Sequence, residues 1–368
     1  MPWPEVSRVM LRAELVRRWA VGEPVSRLCG ELGISRKTGY KWLRRWQGEG
    51  EAGLGDRSRR PRAHPWQVSA ETEGRIVQLR QAHPAWGALK LKARLEADGQ
   101  GMPSARTVGR VLQRQGLIQS PPAREPALGR FERGAPNELW QLDAKGWFIL
   151  RGVGRIHPVA VLDDHSRYLL ALWPCRRENH AELWQPLEQA LGRYGCPQAL
   201  LTDRHTVFHQ RGGLTAWDCQ LIALDIKLLH GRAHRPTTQG KVERLHLTLQ
   251  QELLSRYRFA DLQDCQRALQ EWREMYNTYR PHQALQGAVP ASRYRPSPRP
   301  RPLALPQPHY PPQAIVRQVT GAGLIKLNGH VRFVGRGLAG WPVGVIPTHR
   351  SRWPVLFFDR LVRKIAPP

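Results

Sequence analysis

Apolar side chains repeat every three or four positions over residues 5–48, which is the pattern of amphipathic helices. Ser26 and Ser35 stand where each can cap the start of a helix, and Gly33 between them is typical of a tight turn. The pattern therefore predicts a helix, a short helix ending in a glycine turn, and a further helix with the sequence RKTGYKWLRRWQ. The positions that this last helix is expected to turn inward are Tyr40, Leu43 and Trp46.

A helix, a glycine-containing turn and a basic helix are the parts of a helix-turn-helix domain, whose second helix enters the major groove of DNA. We therefore predict a DNA-binding domain over residues 1–62. A helical hairpin with a merely solvated basic face is the alternative. The candidate DNA contacts on the basic helix are Arg36, Lys37, Thr38, Lys41, Arg44 and Arg45.

A second helical domain is predicted over residues 63–118, where three short helices follow one another. The last of them begins after Ser104 and separates an apolar stripe from a basic face that carries Arg106 and Arg110. These two arginines are candidate DNA contacts, and a domain that only packs is the alternative. The proline-containing stretch 119–136 has no periodicity and is predicted to be a linker.

The pattern changes from helices to strands after residue 137. Three β-rich runs cover residues 138–150, 155–163 and 167–174, and their connections are short enough for antiparallel hairpins. Short buried strands then alternate with helices. Hairpin-linked strands followed by βαβ units predict an α/β domain over residues 137–289, with a mixed sheet and helices on its faces.

The C-terminal part of the chain begins with a proline-rich stretch at residues 290–312, predicted to be an extended linker that could lie along phosphates. Residues 313–368 are β-rich, and Asn328-Gly329 between two alternating runs predicts a hairpin. A small β-barrel is expected here. Its nine basic residues against the single Asp359 suggest that it also touches nucleic acid.

The net charge of the chain indicates which class of molecule it binds. The net charge of +27 and the isoelectric point near 11.1 favour a polyanionic partner, either nucleic acid or an anionic membrane surface. No apolar run approaches the roughly 20 residues needed to span a bilayer, and the first residues lack the apolar core of a signal peptide. Double-stranded DNA and the cytoplasm are therefore expected. The five scattered cysteines indicate neither disulfide bonds nor a zinc site.

Three carboxylates stand where metal chemistry is plausible. Asp143 lies within the first strand, Asp203 at the carboxyl end of a short strand, and Glu243 at the start of a helix. A buried strand accommodates an ionised carboxylate only if a cation or strong hydrogen bonds compensate it. Two Mg²⁺ (or Mn²⁺) ions could do so and serve phosphodiester cleavage. For Glu243 taken alone, a solvated helix face is the alternative.

Four segments carry a family resemblance: LWQLDAKGWF, VLDDHSRYLLA, LLTDRHTVF and RPTTQGKVERLHLTLQQEL. Together they resemble the consecutive motifs of the DDE insertion-sequence transposases, which share a ribonuclease-H-like core with retroviral integrases. The spacing agrees, with 59 residues between Asp143 and Asp203 and 39 between Asp203 and Glu243. The likeness covers roughly residues 5–295. It implies a multidomain chain of N-terminal helix-turn-helix units, a ribonuclease-H-like mixed sheet and a C-terminal small β-barrel.

The resemblance also implies the activity. A transposase of this family binds the terminal inverted repeats of its element and joins them to target DNA, working as a homodimer or larger synaptic complex in the bacterial nucleoid and not at a membrane. Its catalytic residues and metal ligands would be Asp143, Asp203 and Glu243. A catalytically inactive DNA-binding regulator and a simple nuclease are the alternatives. The candidate phosphate contacts around the catalytic helix are Arg235, Gln239, Lys241 and Arg244.

The sequence departs from the family pattern directly after Asp203. The family usually has Asn or Arg there, followed by Gly and a small residue, whereas this chain has Arg204, His205 and Thr206. The glycine of the tight turn is therefore absent. This departure motivates the hypothesis of an inactive regulator.

Two other groups are interpreted as structural. Asp163 and Asp164 lie in the segment DDHS, where they are expected to satisfy backbone groups of a turn. His246 follows Glu243 by one helical turn and could meet DNA or a metal, but a surface imidazole is the favoured interpretation.

Overall fold

The computed structural model describes residues 7–58, 67–118, 132–203, 205–208, 213–230, 240–349 and 352–368. The chain divides into two compact units, Met1–Gln67 and Val68–Pro368. Most of the predicted linker, residues 119–131, lies outside the described residues, and so do Arg204, Arg235 and Gln239.

The N-terminal unit has the three predicted helices, α1 (Arg8–Ala20), α2 (Val25–Glu31) and α3 (Arg36–Glu49). Ser35 caps α3 as predicted, because its hydroxyl accepts a hydrogen bond from the backbone N–H of Thr38. The prediction for Ser26 was wrong. Pro24 occupies the N-cap position of α2, and Ser26 lies inside the helix.

The core of this unit corrects the predicted inward face of α3. Leu43 is buried, but Tyr40 is 51% exposed and Trp42 is buried in its place. The buried residues at 39, 42 and 43 and the half-buried Trp46 follow the i, i+3, i+4, i+7 spacing of one helix face, which Tyr40 does not share. Trp42 packs with Leu15 of α1 and Leu28 of α2.

The larger unit begins with the second helical bundle, α4 (Ala70–Ala82), α5 (Ala88–Ala97) and α6 (Ala105–Arg114), close to the predicted ranges. Ser104 caps α6 as expected. The bundle buries Ile76, Leu91 and Val108, and Tyr279 packs against the same cluster.

A mixed sheet forms the centre of the larger unit. Its strands are β1 (Trp140–Ala144), β2 (Phe148–Leu150), β3 (Gly154–Asp163), β4 (Leu169–Cys175), β5 (Ala199–Thr202) and β6 (Lys227–His230). β3 is antiparallel to β1, β2 and β4, whereas β5 is parallel to β1 and β6. The predicted α/β sheet is confirmed. Its first predicted strand is divided into β1 and β2, and Gly146 between them has a φ of +23°.

Helices cover both faces of this sheet. They are α7 (His180–Tyr194), α8 (Ala216–Ala223), α9 (Gly240–Leu249), which continues into a π-helical turn at Gln250–Leu254, and α10 (Leu262–Thr278). The alternation along β3 assigns the faces, because Val161 packs with α7 and α8 whereas Leu162 packs with α9 and α10. No helix in the described part of the chain is long and apolar enough to cross a membrane.

The proline-rich stretch after residue 290 lies along this core. Tyr294 is buried in the cluster on the α7 face. The Arg299 guanidinium donates hydrogen bonds to the backbone carbonyls of Leu224 and Asp225, both at 2.8 Å. This arginine therefore binds the core, although the sequence suggested that the stretch could lie along phosphates.

The C-terminal strands are β7 (Ile315–Gln318), β8 (Leu324–Leu327), β9 (His330–Phe333), β10 (Pro342–Val345), β11 (Trp353–Phe357) and β12 (Arg360–Ile365). The hairpin predicted at Asn328-Gly329 joins β8 to β9. The predicted closed barrel is not what the described residues form, because the four-stranded sheet β12-β11-β10-β7 and the two-stranded sheet β8-β9 are both open. Cys219 and Ile222 of α8 complete the core of this region, so a helix covers it where a barrel would close on itself.

Candidate active site

The ends of β1 and β5 bring two of the predicted carboxylates together. The strands are parallel, with Gln141 opposite Leu201, so the same register carried two residues further places Asp143 beside Asp203. Both side chains are half-buried. Burial raises the pKa of Asp203 above its ordinary value, and the charge of Asp143 raises it further. The two aspartates therefore share one edge of the sheet, as the sequence predicted.

The turn after Asp203 forms without a glycine. The backbone N–H of His205 donates a hydrogen bond to Asp203 Oδ1 at 3.0 Å, so the aspartate side chain closes the turn itself. None of the described residues from 205 to 208 has a positive φ, the conformation for which glycine would be needed. The departure from the family pattern is therefore compatible with an ordered Asp203.

His246 is buried against Asp143, so the interpretation as a surface imidazole was wrong. Its Nε2 lies 3.1 Å from Asp143 Oδ2, and its side chain is only 9% exposed. Its Nδ1 has no hydrogen-bond partner within the described residues. The sequence held a signal for this burial, because His246 stands on the apolar stripe of α9 with Val242, Leu245 and Leu249.

Glu243 is not gathered with the two aspartates. It is exposed on the first turn of α9. Across the ranges that the structure describes, no group of three His, Cys, Asp or Glu side chains lies close enough to hold a metal ion. The structure therefore brings Asp143 and Asp203 together and adds His246, whereas the third predicted ligand stays apart.

The donor chemistry of the two aspartates fits a divalent cation. Carboxylate oxygens are ligands that Mg²⁺ prefers, and Mg²⁺ is usually bound by one or two carboxylates together with water and substrate phosphates. The Asp143 side chain keeps 19% of its surface exposed, so it is open to solvent. Asp143 and Asp203 are thus the residues best placed to hold a metal.

A second cluster at this edge was missed by the sequence reasoning. Glu178, which lies between β4 and α7, faces two histidines from other elements. Its Oε1 is 2.7 Å from His157 Nδ1, and its Oε2 is 3.6 Å from His205 Nε2. No residue spacing in the sequence predicts this cluster, because its members come from a strand and two separate loops.

Both acids of the DDHS segment are structural, but only Asp163 has the predicted role of satisfying a backbone group of the turn, whereas Asp164 contacts residues outside it. Asp163 and Asp164 are fully buried. Asp163 accepts hydrogen bonds from Ser166 and from the backbone of Asn137. Asp164 lies 2.5 Å from Lys241 Nζ. Burial lowers the pKa of Lys241 to about 8, although the contact with Asp164 opposes that shift.

The candidate DNA contacts have different surroundings. Arg36, Lys37, Lys41 and Arg44 are exposed on α3, and Thr38 and Arg45 are half-buried beside them. A concave surface on this helix is lined by Lys37, Thr38, Lys41 and Arg44. In the larger unit, Arg106, Arg110 and Arg244 are exposed. Lys241 is the exception, because its ammonium contacts Asp164 in the protein interior.

Comparison with protein families identifies three matching regions. Residues 11–62 match a helix-turn-helix domain, residues 38–112 a homeodomain-like domain, and residues 224–290 an integrase core domain. The last match includes the helix that carries Glu243 and His246.

Proteins of insertion elements are similar over much of the chain. An uncharacterized 31.7 kDa protein of insertion element IS407 from Burkholderia multivorans is 25% identical over 59% of this chain and 78% of its own length. An uncharacterized 39.2 kDa protein of insertion element IS476 from Xanthomonas euvesicatoria is 24% identical over 66% of this chain and 70% of its own length.

One solved structure with a similar chain is a simian T-cell lymphotropic virus intasome in complex with the PP2A regulatory subunit B56 gamma. The TM-score is 0.39 and the identity 17%, over 80% of this chain and all of that one. The domain matches and the insertion-element relatives confirm the resemblance seen in the sequence. The chain is thus similar to insertion-sequence transposases with an integrase-like core, and its integrase core match indicates an enzyme of the polynucleotidyl transferase type.

Proposed function

We propose that this protein binds the terminal inverted repeats of a mobile element and catalyses cleavage and strand transfer into target DNA. In this proposal residues 1–62 and 63–118 bind DNA and residues 137–289 carry out the chemistry. The observation that supports it best is the pair of half-buried aspartates, Asp143 and Asp203, at the carboxyl ends of adjacent parallel strands.

The chemistry needs divalent ions in the proposed site. Two bound Mg²⁺ or Mn²⁺ ions would activate the attacking hydroxyl and offset the charge on the leaving oxygen. Asp143 and Asp203 would hold them from the sheet, and Glu243 would join from the first turn of α9. Arg244, which is exposed beside Glu243, would bind a substrate phosphate. The residues therefore supply ligands and position DNA without a covalent protein intermediate.

Strand transfer with purified protein tests the proposal. The substrates are a labelled duplex from the end of the element that encodes the protein and a supercoiled target plasmid, with Mg²⁺ or Mn²⁺. We expect joined product from the native protein and from neither Asp143→Asn nor Glu243→Gln. End binding without joining under either metal, from folded protein, would favour a DNA-binding regulator. Cutting without joining or preference for element ends would indicate a nuclease.

The DNA contacts can be ranked in the same preparation. Each phosphate contact that is lost is expected to reduce the slope of log affinity against log salt concentration by about 1. We expect this change for Lys41→Ala and Arg44→Ala on α3, measured by fluorescence anisotropy. Arg106→Ala and Arg110→Ala test the second bundle, and an unchanged slope there would mean that this bundle only packs.

Two copies of the chain are part of the proposal, because two element ends have to be held together before they can be joined. We therefore propose a homodimer or a larger synaptic complex on double-stranded DNA. Mass photometry of the protein with and without end duplex tests this, and a single copy bound to each duplex under joining conditions would contradict it.

A further inference from the structure

The Glu178 cluster connects three parts of the chain at the edge of the sheet that carries Asp143 and Asp203. His157 belongs to β3 and lies beyond the end of β1, because the backbone N–H of Lys145 donates to the carbonyl of Pro158. Glu178 lies a few residues after the end of β4, and His205 lies in the turn after β5. The Glu178 carboxylate, which follows β4, thus contacts one residue of β3 and one residue of the turn after Asp203.

The hydrogen bonds of His205 define how its ring is held. Its Nδ1 accepts a hydrogen bond from the backbone N–H of Val207 at 3.4 Å, so the ring hydrogen lies on Nε2. That nitrogen faces Glu178 Oε2 at 3.6 Å. The imidazole therefore directs its donor toward the carboxylate and its acceptor toward its own turn.

The same residue holds Asp203. The backbone N–H of His205 donates to Asp203 Oδ1 at 3.0 Å, while the ring faces Glu178. His205 therefore contacts Asp203 through its backbone and Glu178 through its ring. Restraining the ring at Glu178 limits the conformations open to the residue whose N–H orients Asp203.

Each oxygen of Glu178 faces one histidine. Oε1 is hydrogen-bonded to His157 at 2.7 Å, Oε2 lies within ion-pair distance of His205 at 3.6 Å, and the side chain is 29% exposed. Because it contacts a side chain on β3 and another in the turn after β5, Glu178 is placed to hold these two elements relative to each other. The carboxylate also lies near enough to Asp203 for its charge to act on that group.

We propose that Glu178 is a positioning residue, which holds His205 against His157 and thereby keeps the Asp203 carboxylate beside Asp143. The cluster links the turn after Asp203 to β3 through His205 and His157. The inference rests on the proposed function, since its purpose is to orient a proposed metal ligand. Partners of this kind typically change metal affinity or activity by about 10–100-fold when they are removed.

The test compares Glu178→Gln, His205→Ala and the double variant, with Mn²⁺ alone as the probe. Manganese affinity is measured by electron paramagnetic resonance in the absence of DNA, and kcat and KM for strand transfer are measured separately. We expect Glu178→Gln to weaken Mn²⁺ binding about tenfold and to lower kcat without raising KM for DNA. The effects of Glu178→Gln and His205→Ala are expected to be less than additive in the double variant, because both changes break the same contact.

Two further variants separate positioning from general damage. Glu188→Gln is the matched control, because Glu188 lies on α7 and contacts Arg301 away from the cluster, and it is expected to leave Mn²⁺ affinity unchanged. His157→Gln removes the other partner of Glu178 and is expected to weaken Mn²⁺ binding by a smaller factor. In ¹⁵N spectra of the imidazoles, the His205 signal of a ring with hydrogen on Nε2 is expected to shift in Glu178→Gln.

Unchanged Mn²⁺ affinity in Glu178→Gln would overturn the inference, as would effects of Glu178→Gln and His205→Ala that simply add in the double variant. Loss of one bound Mn²⁺ in Glu178→Gln, with the His205 signal unmoved, would make Glu178 a ligand and would overturn it too. These readouts do not need DNA joining. A native protein that binds Mn²⁺ but joins no DNA would therefore defeat the proposed function and leave this inference testable.

Discussion

The pair Asp163 and Asp164 lies near the start of β1, and the pair Asp143 and Asp203 lies near its end. The two pairs differ in how many hydrogen bonds they accept. Asp163 is opposite Trp140 at the start of β1, and Asp143 is near the end of that strand. Asp163 accepts three hydrogen bonds at 2.6–2.8 Å. The contacts of Asp143 and Asp203 are fewer and longer, with His246 at 3.1 Å and the His205 N–H at 3.0 Å.

This difference distinguishes the structural acids Asp163 and Asp164 from the proposed metal ligands Asp143 and Asp203. Burial raises the pKa of Asp163 and the hydrogen bonds from Ser166 and Asn137 oppose that shift, so the donors offset part of the cost of burying this carboxylate. A half-buried carboxylate that keeps open lone pairs beside a second one costs stability, and such sites are where ligands bind. The degree of bonding, and not the presence of adjacent acids in the sequence, indicates where chemistry occurs.

The largest expected effect is on strand transfer. Asp143→Asn should lower the rate by about 10³-fold or more, because a neutral amide cannot replace a charged metal ligand. The midpoint of thermal unfolding should not fall, since Asp143 has few bonds to lose and its charge acts unfavourably on Asp203. The measurement is joining rate beside differential scanning calorimetry.

Asp225→Asn is the control for this prediction. The Asp225 side chain is 98% exposed, and both rate and stability should stay as in the native protein. A rate loss of less than tenfold in Asp143→Asn would show that Asp143 and Asp203 are not the reacting centre. The small number of their hydrogen bonds would then not indicate a functional site.

The next effect is on stability and concerns the buried pair Asp163 and Asp164. Asp164 accepts from Gln141 Nε2 at 2.7 Å and from the backbone of Arg133 at 2.8 Å, and it contacts Lys241. Asparagine offers one acceptor oxygen where three donors converge. We expect Asp164→Asn to lower the free energy of unfolding by about 3 kcal/mol.

Urea denaturation monitored by fluorescence measures this loss, again beside Asp225→Asn, which should stay within about 0.5 kcal/mol of the native value. A loss below about 1 kcal/mol in Asp164→Asn would mean that the hydrogen bonds of the buried acids contribute little to stability. The number of hydrogen bonds would then not distinguish Asp163 and Asp164 from Asp143 and Asp203.

Much of the fold could be predicted from periodicity, because helix and strand patterns are local. The helices of both N-terminal bundles and the hairpin at Asn328-Gly329 follow from spacing and turn residues alone. The predicted barrel failed for a non-local reason. Cys219 and Ile222 of α8, far earlier in the chain, cover the C-terminal sheets, and no pattern within residues 313–368 indicates that helix.

Only the part of the site that lies on strands, Asp143 and Asp203, was predicted correctly from the sequence. The strand pattern placed Asp143 in a strand and Asp203 at a strand end, and the register of β1 against β5 then puts the two side by side. Glu243 and His246 lie on one helix, and its rotation decides which of them meets Asp143. The apolar stripe of α9 already favoured His246, whereas the family motif favoured Glu243. The Glu178 cluster depends on tertiary contacts alone.

The smallest expected effect extends the comparison to lysines. Lys241 contacts a carboxylate, but Lys90 on α5 has no hydrogen-bond or ion-pair partner for its ammonium within the described residues. Burial lowers the pKa of Lys90 from 10.5 to about 8, with the charge of Arg280 adding to the effect. At pH 7 the folded protein therefore carries a charge that is poorly solvated. Lys90→Met should raise the free energy of unfolding at pH 7 by about 1–2 kcal/mol.

The pH dependence gives this prediction its sign. Between about pH 8 and 10.5 the unfolded chain keeps the Lys90 proton while the folded protein has lost it, so the native protein gains stability relative to Lys90→Met as the pH rises through this window. Urea titrations at pH 7 and pH 10 measure the difference. Lys92→Met on the same helix is the control, because Lys92 contacts Glu96 and should show no such trend. A Lys90→Met variant that is less stable than native protein at pH 7 would show that this lysine has a compensating partner, and bonding would then not distinguish the two lysines.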